Sequence, residues 1–200
     1  ATARSEIALN DLASSLKNNT GVIHPIVLDQ SDDSAVEKFI TTVAEKEGRI
    51  DLLVNSAYGG LAAMTPHFGK PFWERPISVF DASIDIGLRS AFVSSAIVAP
   101  HMVSQKSGLI VQVSSFGGHS YLFDVGYGVG KAGLDRLSAD MATELTEHGV
   151  RSLTLYPGGA VTEIACFPGG ETPTFTGRSV AALLYDTPED DLANLNGKVV

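Results

Sequence analysis

The sequence predicts an α/β fold: a doubly wound parallel sheet with helices on both faces. Three observations carry that prediction. Segments with helical apolar spacing alternate with short strand-like runs along most of the chain. The runs DLLVN (51–55), GLIVQVS (108–114) and VRSLTLY (150–156) are apolar on both faces, as strands held between two helical layers must be. Each is followed by Asn, Ser, Gly or Pro residues, and open α/β sheets bind ligands at such strand ends. The 200 residues are 44% hydrophobic, which suffices for one domain with its own core, and they show no internal repeat.

The elements follow in order. Residues 5–17 place Ile7, Leu9, Leu12 and Leu16 mostly at helical spacing. VIHPIVL (22–28) reads as a strand, and Pro25, which has no N–H to donate, puts it at a sheet edge. Ser31 to Asp33 offer N-caps for a helix through Lys46, with Gly48 as its C-cap. DLLVN is a short buried strand, followed by a Gly-rich loop with Pro66, Pro71 and Pro76. A helix over 78–105 is expected to kink at Pro100. GLIVQVS is a strand, and VGYGVGKAGLDRLSADMATELTEHG (125–149) is a helix closed by Gly149. VRSLTLY is a strand ended by Pro157-Gly158-Gly159. A shorter helix covers 177–185, the acidic run Asp186, Glu189, Asp190, Asp191 reads as a solvated loop, and KVV (198–200) starts a last strand. Parallel neighbours require right-handed crossovers.

Composition narrows the function. Fourteen Lys and Arg against 23 Asp and Glu give a net charge of −9, and such a surface repels nucleic-acid phosphates. No apolar run reaches the ~18 residues of a membrane span, and ATARSEIALNDL has no signal-peptide core. The single cysteine, Cys166, cannot form an internal disulfide, so a reduced, cytoplasmic setting is expected; without a basic neighbour in sequence it is not read as a nucleophile. His24, His67, His101, His119 and His148 lack ligand-like spacing, so no metal site is expected.

The strand ends carry the chemistry. They are Asn55-Ser56-Ala57-Tyr58-Gly59-Gly60, then Ser114-Ser115 with Gly117-Gly118, then Tyr156-Pro157-Gly158-Gly159-Ala160-Val161-Thr162. Between the last two, Tyr127 and Lys131 lie four apart on one helix face. An ammonium beside a phenol favours the phenolate, which would lower the tyrosine from its usual value near ~10 and let it exchange a proton near neutral pH. A serine hydroxyl from Ser114-Ser115 could bond a carbonyl oxygen beside it. The serine pair lacks the G-x-S-x-G elbow of a hydrolase.

Together LLVNSA, VSS, YGVGK and PGGAVT resemble, in order and spacing, the signature segments of the short-chain dehydrogenase/reductase family over roughly residues 3–200. The resemblance implies a Rossmann-like fold and an oxidoreductase that moves hydride between a nicotinamide cofactor and a small carbonyl or alcohol. It implies Tyr127 as acid/base, Lys131 as its neighbour and holder of the nicotinamide ribose, and a catalytic serine. Strand register selects Ser115, whereas the usual thirteen-residue spacing from Tyr127 selects Ser114; register is the stricter constraint. Asn55, Ala57, Pro157, Gly158 and Thr162 would line the cofactor, and Asp29 would contact the adenine, although it could equally cap a helix. Arg4 could pair with a 2′-phosphate and so favours NADP, with NAD the alternative. The aromatic residues Tyr58, Phe68, Phe72, Trp73, Phe116, Tyr121 and Phe123 would suit a hydrophobic substrate. A homodimer or homotetramer through the two long helices is implied as well.

Two departures stand out. Gly87 occupies the place of a helix asparagine that supports a relay water in the family. The T-G-x-x-x-G-x-G loop that cradles the pyrophosphate is absent from the 200 residues. The expectation is an upstream strand and loop beyond the given residues, since without a central strand two sheet edges stay unpaired. The region after Thr162 reads as shortened, and Val200 as falling inside the last strand. These departures also keep open a catalytically impaired protein of the same fold.

Overall fold

A computed structural model describes residues 1–17, 21–162 and 167–200. Cys166 lies outside the described residues. The chain runs β1 (Thr2–Ala3), α1 (Glu6–Ser15), β2 (Ile26–Val27), α2 (Asp33–Glu47), β3 (Leu52–Asn55), α3 (Gly60–Met64), α4 (Ile77–Ile84), α5 (Ser90–Gln105), β4 (Gly108–Val113), α6 (Val125–Leu145), β5 (Val150–Leu155), α7 (Pro173–Tyr185) and α8 (Glu189–Leu195).

Every ladder among the described residues is parallel. β1 pairs with β2, Thr2 opposite Ile26, and β3–β4–β5 form a second ladder with Leu53 opposite Ile110 and Ile110 opposite Ser152. Val199 bridges Thr154, so the KVV segment joins the outer edge of β5. Side chains alternate across the sheet. Ile110 and Val150 face Val36 and Ile40 of α2, Val98 and Met102 of α5 and Leu145 of α6. Leu109, Val111, Leu153 and Leu155 face Val180 and Leu183 of α7 and Leu192 of α8. The doubly wound parallel architecture is therefore as expected.

Local chemistry explains the helix boundaries. The Ser5 and Asp32 side chains accept the Ala8 and Ala35 amides at the starts of α1 and α2. Gly48 and Gly149 close α2 and the single turn after α6 with φ of 74° and 72°, where a side chain would be strained.

Several expectations are corrected. The 22–28 strand shrinks to Ile26–Val27, because Pro25 contributes no amide and Val22 is exposed. β3 is half-open rather than buried, with Val54 40% exposed beside a cleft. The helix over 77–105 is interrupted by a π-turn at Asp85–Arg89, around Gly87, whereas Pro100 sits inside an unbroken α5. That stretch is also long and apolar enough by composition to cross a membrane, contrary to the reading of the sequence; Val98 and Met102 bury its inner side in the core. α7 starts at Pro173, set by Thr172 as N-cap and proline at the first helical position. The acidic run is no loop throughout: Glu189, Asp190 and Asp191 form the first turn of α8, where carboxylates meet the positive end of the helix dipole.

Candidate active site

Two elements present the central pair. Ser115 follows β4 and caps a short turn, its Oγ accepting the Gly117 N–H at 3.1 Å. Tyr127 sits in the first turn of α6, where Asp124 is the N-cap and accepts the Tyr127 N–H at 2.7 Å. The Ser115 and Tyr127 hydroxyls meet at 2.7 Å. One turn further along α6, Lys131 lies under the Tyr127 ring, its Nζ 5.8 Å from the centroid and donating to the Val113 carbonyl at 2.9 Å. Ser114 turns away from Tyr127: it is buried and its hydroxyl donates to the Lys131 carbonyl at 3.1 Å.

The electrostatics differ from the expectation that Lys131 lowers Tyr127. Burial raises the Tyr127 phenol above its usual value, and the Ser115 bond only partly opposes this. Lys131 is only 8% exposed. Burial brings its ammonium down to about 8, with the Asp135 carboxylate resisting. Asp135 in turn accepts a short hydrogen bond from Tyr156.

The residues expected to line a cofactor divide between places. Arg4, Asp29, Asn55 and Ala57 line one cleft of about 560 Å³ at the ends of β1, β2 and β3, together with Tyr58 and Ser90. Asp29 accepts the Ser31 N–H at 2.9 Å and the Ser31 hydroxyl at 2.8 Å, which, with Arg4 nearby, holds its carboxyl below the usual range. It caps a turn, while Asp32 caps α2. The Asn55 amide turns inward, donating to the Ala91 carbonyl at 3.3 Å and Ser95 Oγ at 3.1 Å, so it ties β3 to α5. Pro157 lines a different groove of about 420 Å³ with Tyr156, Glu171 and Phe175. The Gly158 N–H donates to the Glu171 carboxylate at 3.1 Å, and exposed Thr162 lies just beyond.

Residues 1–166 match the short chain dehydrogenase family. The chain belongs to that family. The chain is 40% identical over 197 residues to dehydrogenase/reductase SDR family member 1 of Mus musculus, covering 88% of this chain and 62% of that protein. To the Homo sapiens protein of the same name it is 36% identical over 220 aligned positions, covering all of this chain and 69% of that one. Among solved structures it superposes on a metagenomic short-chain oxidoreductase in complex with NADP, with a TM-score of 0.80 and 27% identity, covering all of this chain and 81% of that one. The match to a 7α-hydroxysteroid dehydrogenase complexed with NADH has a TM-score of 0.84 at 20% identity, covering all of this chain and 80% of that one, and shows the fold.

Around the central pair, residues hold places that sequence reasoning missed. Tyr58 was read only as pocket wall, yet its ring meets Tyr127 edge-on at 5.5 Å and its hydroxyl bonds Ser83 at 3.0 Å. Phe123 closes the other side of Tyr127 at 5.1 Å from a φ of 63°, a backbone conformation rare for a bulky residue. Arg75 reaches Asp124 at 2.8 Å with both side chains buried. The N-cap preference for Asp could have pointed to Asp124; no sequence signal links it to Arg75. The adenosine end of a nicotinamide dinucleotide suits the residues present: the cleft of about 560 Å³ has the volume of a small-molecule site, and both Arg4 and Asp29 line it.

Proposed function

We propose that this chain carries the reactive centre of an NADP-dependent carbonyl reductase, with NAD as the weaker alternative. The observation that supports it most is the 2.7 Å approach of the Ser115 and Tyr127 hydroxyls, with the Lys131 ammonium behind the tyrosine ring. A substrate carbonyl oxygen can replace that mutual bond and accept from both hydroxyls. Ser115 polarises it, and Tyr127 delivers the proton. A phenol raised by burial keeps its proton at neutral pH, which suits the direction of reduction. The phenolate left behind faces Lys131, whose charge offsets it. The nicotinamide, when bound, supplies the hydride. Arg4 would pair with a 2′-phosphate, Asp29, Asn55 and Ala57 would line the adenosine side, and Lys131, Pro157, Gly158 and Thr162 the nicotinamide side.

Exposed apolar rings, Phe116 directly after Ser115 and Phe68 against the Phe123 ring that meets Tyr127, favour a hydrophobic carbonyl compound. Exposed Phe92 on α5 and Val129 on α6 support assembly of copies through those helices. The test is Tyr127→Phe. NADPH-dependent reduction across a panel of aromatic and aliphatic carbonyls is expected to disappear, while NADPH affinity, read by fluorescence titration, stays close to that of the parent. Unchanged turnover would remove Tyr127 from the chemistry. Tighter binding of NADH than of NADPH would remove Arg4 from the phosphate. NADPH binding by the parent without turnover on any carbonyl would favour a fold kept for binding alone.

A further inference from the structure

The π-turn around Gly87 and the loop after β3 meet at one point, and what they build there bears on Lys131. A Cβ on Gly87 would stand 3.2 Å from Cδ2 and 3.4 Å from Cε2 of Tyr58, so a side chain at 87 would press on the tyrosine ring and push it by a few tenths of an ångström. The ring is held from its other end. Its hydroxyl bonds Ser83 Oγ at 3.0 Å, Ser83 is fully buried, and a Cβ on Gly60 would overlap that hydroxyl. π-Turns recur at functional positions because they displace a helix backbone locally. Here the turn and the missing side chain together admit a ring. The ring's face lies under the Lys131 ammonium, Nζ 5.4 Å from the centroid, and its edge braces Tyr127.

We propose that Tyr58 is a positioning residue for the Tyr127–Lys131 pair, seated by the absence of a side chain at Gly87, and that its π-face keeps the buried Lys131 ammonium charged. The proposal rests on the reading of Tyr127 and Lys131 given above. Few groups around the ammonium do this work. The Val113 carbonyl of β4 accepts its hydrogen bond, and among the described residues Asp135 of α6, engaged by Tyr156, supplies the carboxylate acting on it. Tyr127 faces it from its own helix. Tyr58 feels the Asp124 charge, and burial pushes its own phenol up to about 12, so it stays neutral and acts through its ring. A neutral ring within ~6 Å attracts an ammonium through its quadrupole, most strongly where water is excluded.

The direct measurement is the titration of Lys131 in the cofactor-free protein by NMR of lysine labelled at Cε, the resonance assigned by its loss in Lys131→Met. Tyr58→Leu is expected to lower the Lys131 midpoint by about half to one pH unit. Tyr58→Phe, which keeps the ring and loses the Ser83 bond, should leave the midpoint where the parent has it. Ring-fluorinated phenylalanines at position 58 keep the shape and weaken the quadrupole, so the midpoint should fall stepwise with fluorination even where Tyr58→Leu fails to fold. Gly87→Ala should lower the midpoint in the parent and add nothing in a Tyr58→Leu background. In turnover, the alkaline limb of the kcat profile should move with the midpoint. A midpoint indifferent to fluorination, or a Tyr58→Leu protein that is only less stable, overturns the proposal. Loss of activity in Tyr127→Phe alongside that indifference would fault Tyr58 alone; full activity in Tyr127→Phe would fault the acid/base reading beneath it.

Discussion

At the scale of single residues, the Ser115–Tyr127 contact depends on a side chain that is not there. A Cβ on Gly117 would come within 2.8 Å of Tyr127 Cδ1, closer still to Cε1, and 3.1 Å from Ser115 Oγ. Glycine therefore lets the phenol lie across the turn and reach the serine. Its backbone is not in the left-handed region, so alanine brings crowding without strain of φ. Gly117→Ala is expected to push the ring aside and lower kcat about a hundredfold, the scale of a ~1 Å displacement of a reacting group. Thermal unfolding should show the fold intact. A Gly117→Ala protein with parental kcat would mean that the close approach of the two hydroxyls is dispensable.

At the scale of elements, the start of α6 is fixed from outside the helix. Asp124 gives one carboxylate oxygen to the Tyr127 amide and the other to Arg75, whose Nε also donates to the Lys70 carbonyl at 2.9 Å. The pair is 6% and 3% exposed, so removing one partner strands a buried charge. Arg75→Met is expected to cost about 3–5 kcal/mol in urea unfolding, and adding Asp124→Asn should recover most of that loss. A double variant whose loss is the sum of the two single losses would show that the pair is not coupled. Here the sequence was legible only in part. Tyr127 and Lys131 could be placed together because four residues on a helix make one face, and β4 and β5 because a strand buried on both sides is apolar throughout; β3 is as apolar although one of its faces borders a cleft. The Arg75–Asp124 pair joins residues far apart in the chain and leaves no periodicity to read. The π-turn at Gly87 keeps a helix-like pattern, and the carboxylates of α8 look like any exposed acidic loop until a helix is known to begin there. Arg4 and Asp29 line one cleft at the strand ends, whereas Pro157 lies in a separate groove where the Gly158 N–H meets Glu171.

At the scale of the whole molecule, the site is maintained against the stability of the fold. A lysine brought from 10.5 down to about 8 by burial represents a penalty on the order of 3 kcal/mol, a large share of the ~5–15 kcal/mol that holds a domain together. The sign follows from proton counts. Below pH 8 Lys131 is protonated in both the folded and unfolded chain, and the folded state bears the full cost. Between about 8 and 10.5 the folded chain has released the proton and the unfolded chain has kept it, so stability rises with pH; above 10.5 this cost is gone. Lys131→Met removes the charge and leaves the Val113 carbonyl without its donor, which offsets about 1 kcal/mol of the gain. The variant is therefore expected to be more stable than the parent by about 1–2 kcal/mol near pH 7 in urea unfolding, with that advantage vanishing toward pH 10.5 and turnover lost throughout. Other titrating groups cancel in the difference between the two proteins, so its pH dependence isolates this one lysine. A Lys131→Met protein less stable than the parent across the whole range would show that the ammonium supports the fold, and that the cleft is not a place where stability has been given up for chemistry.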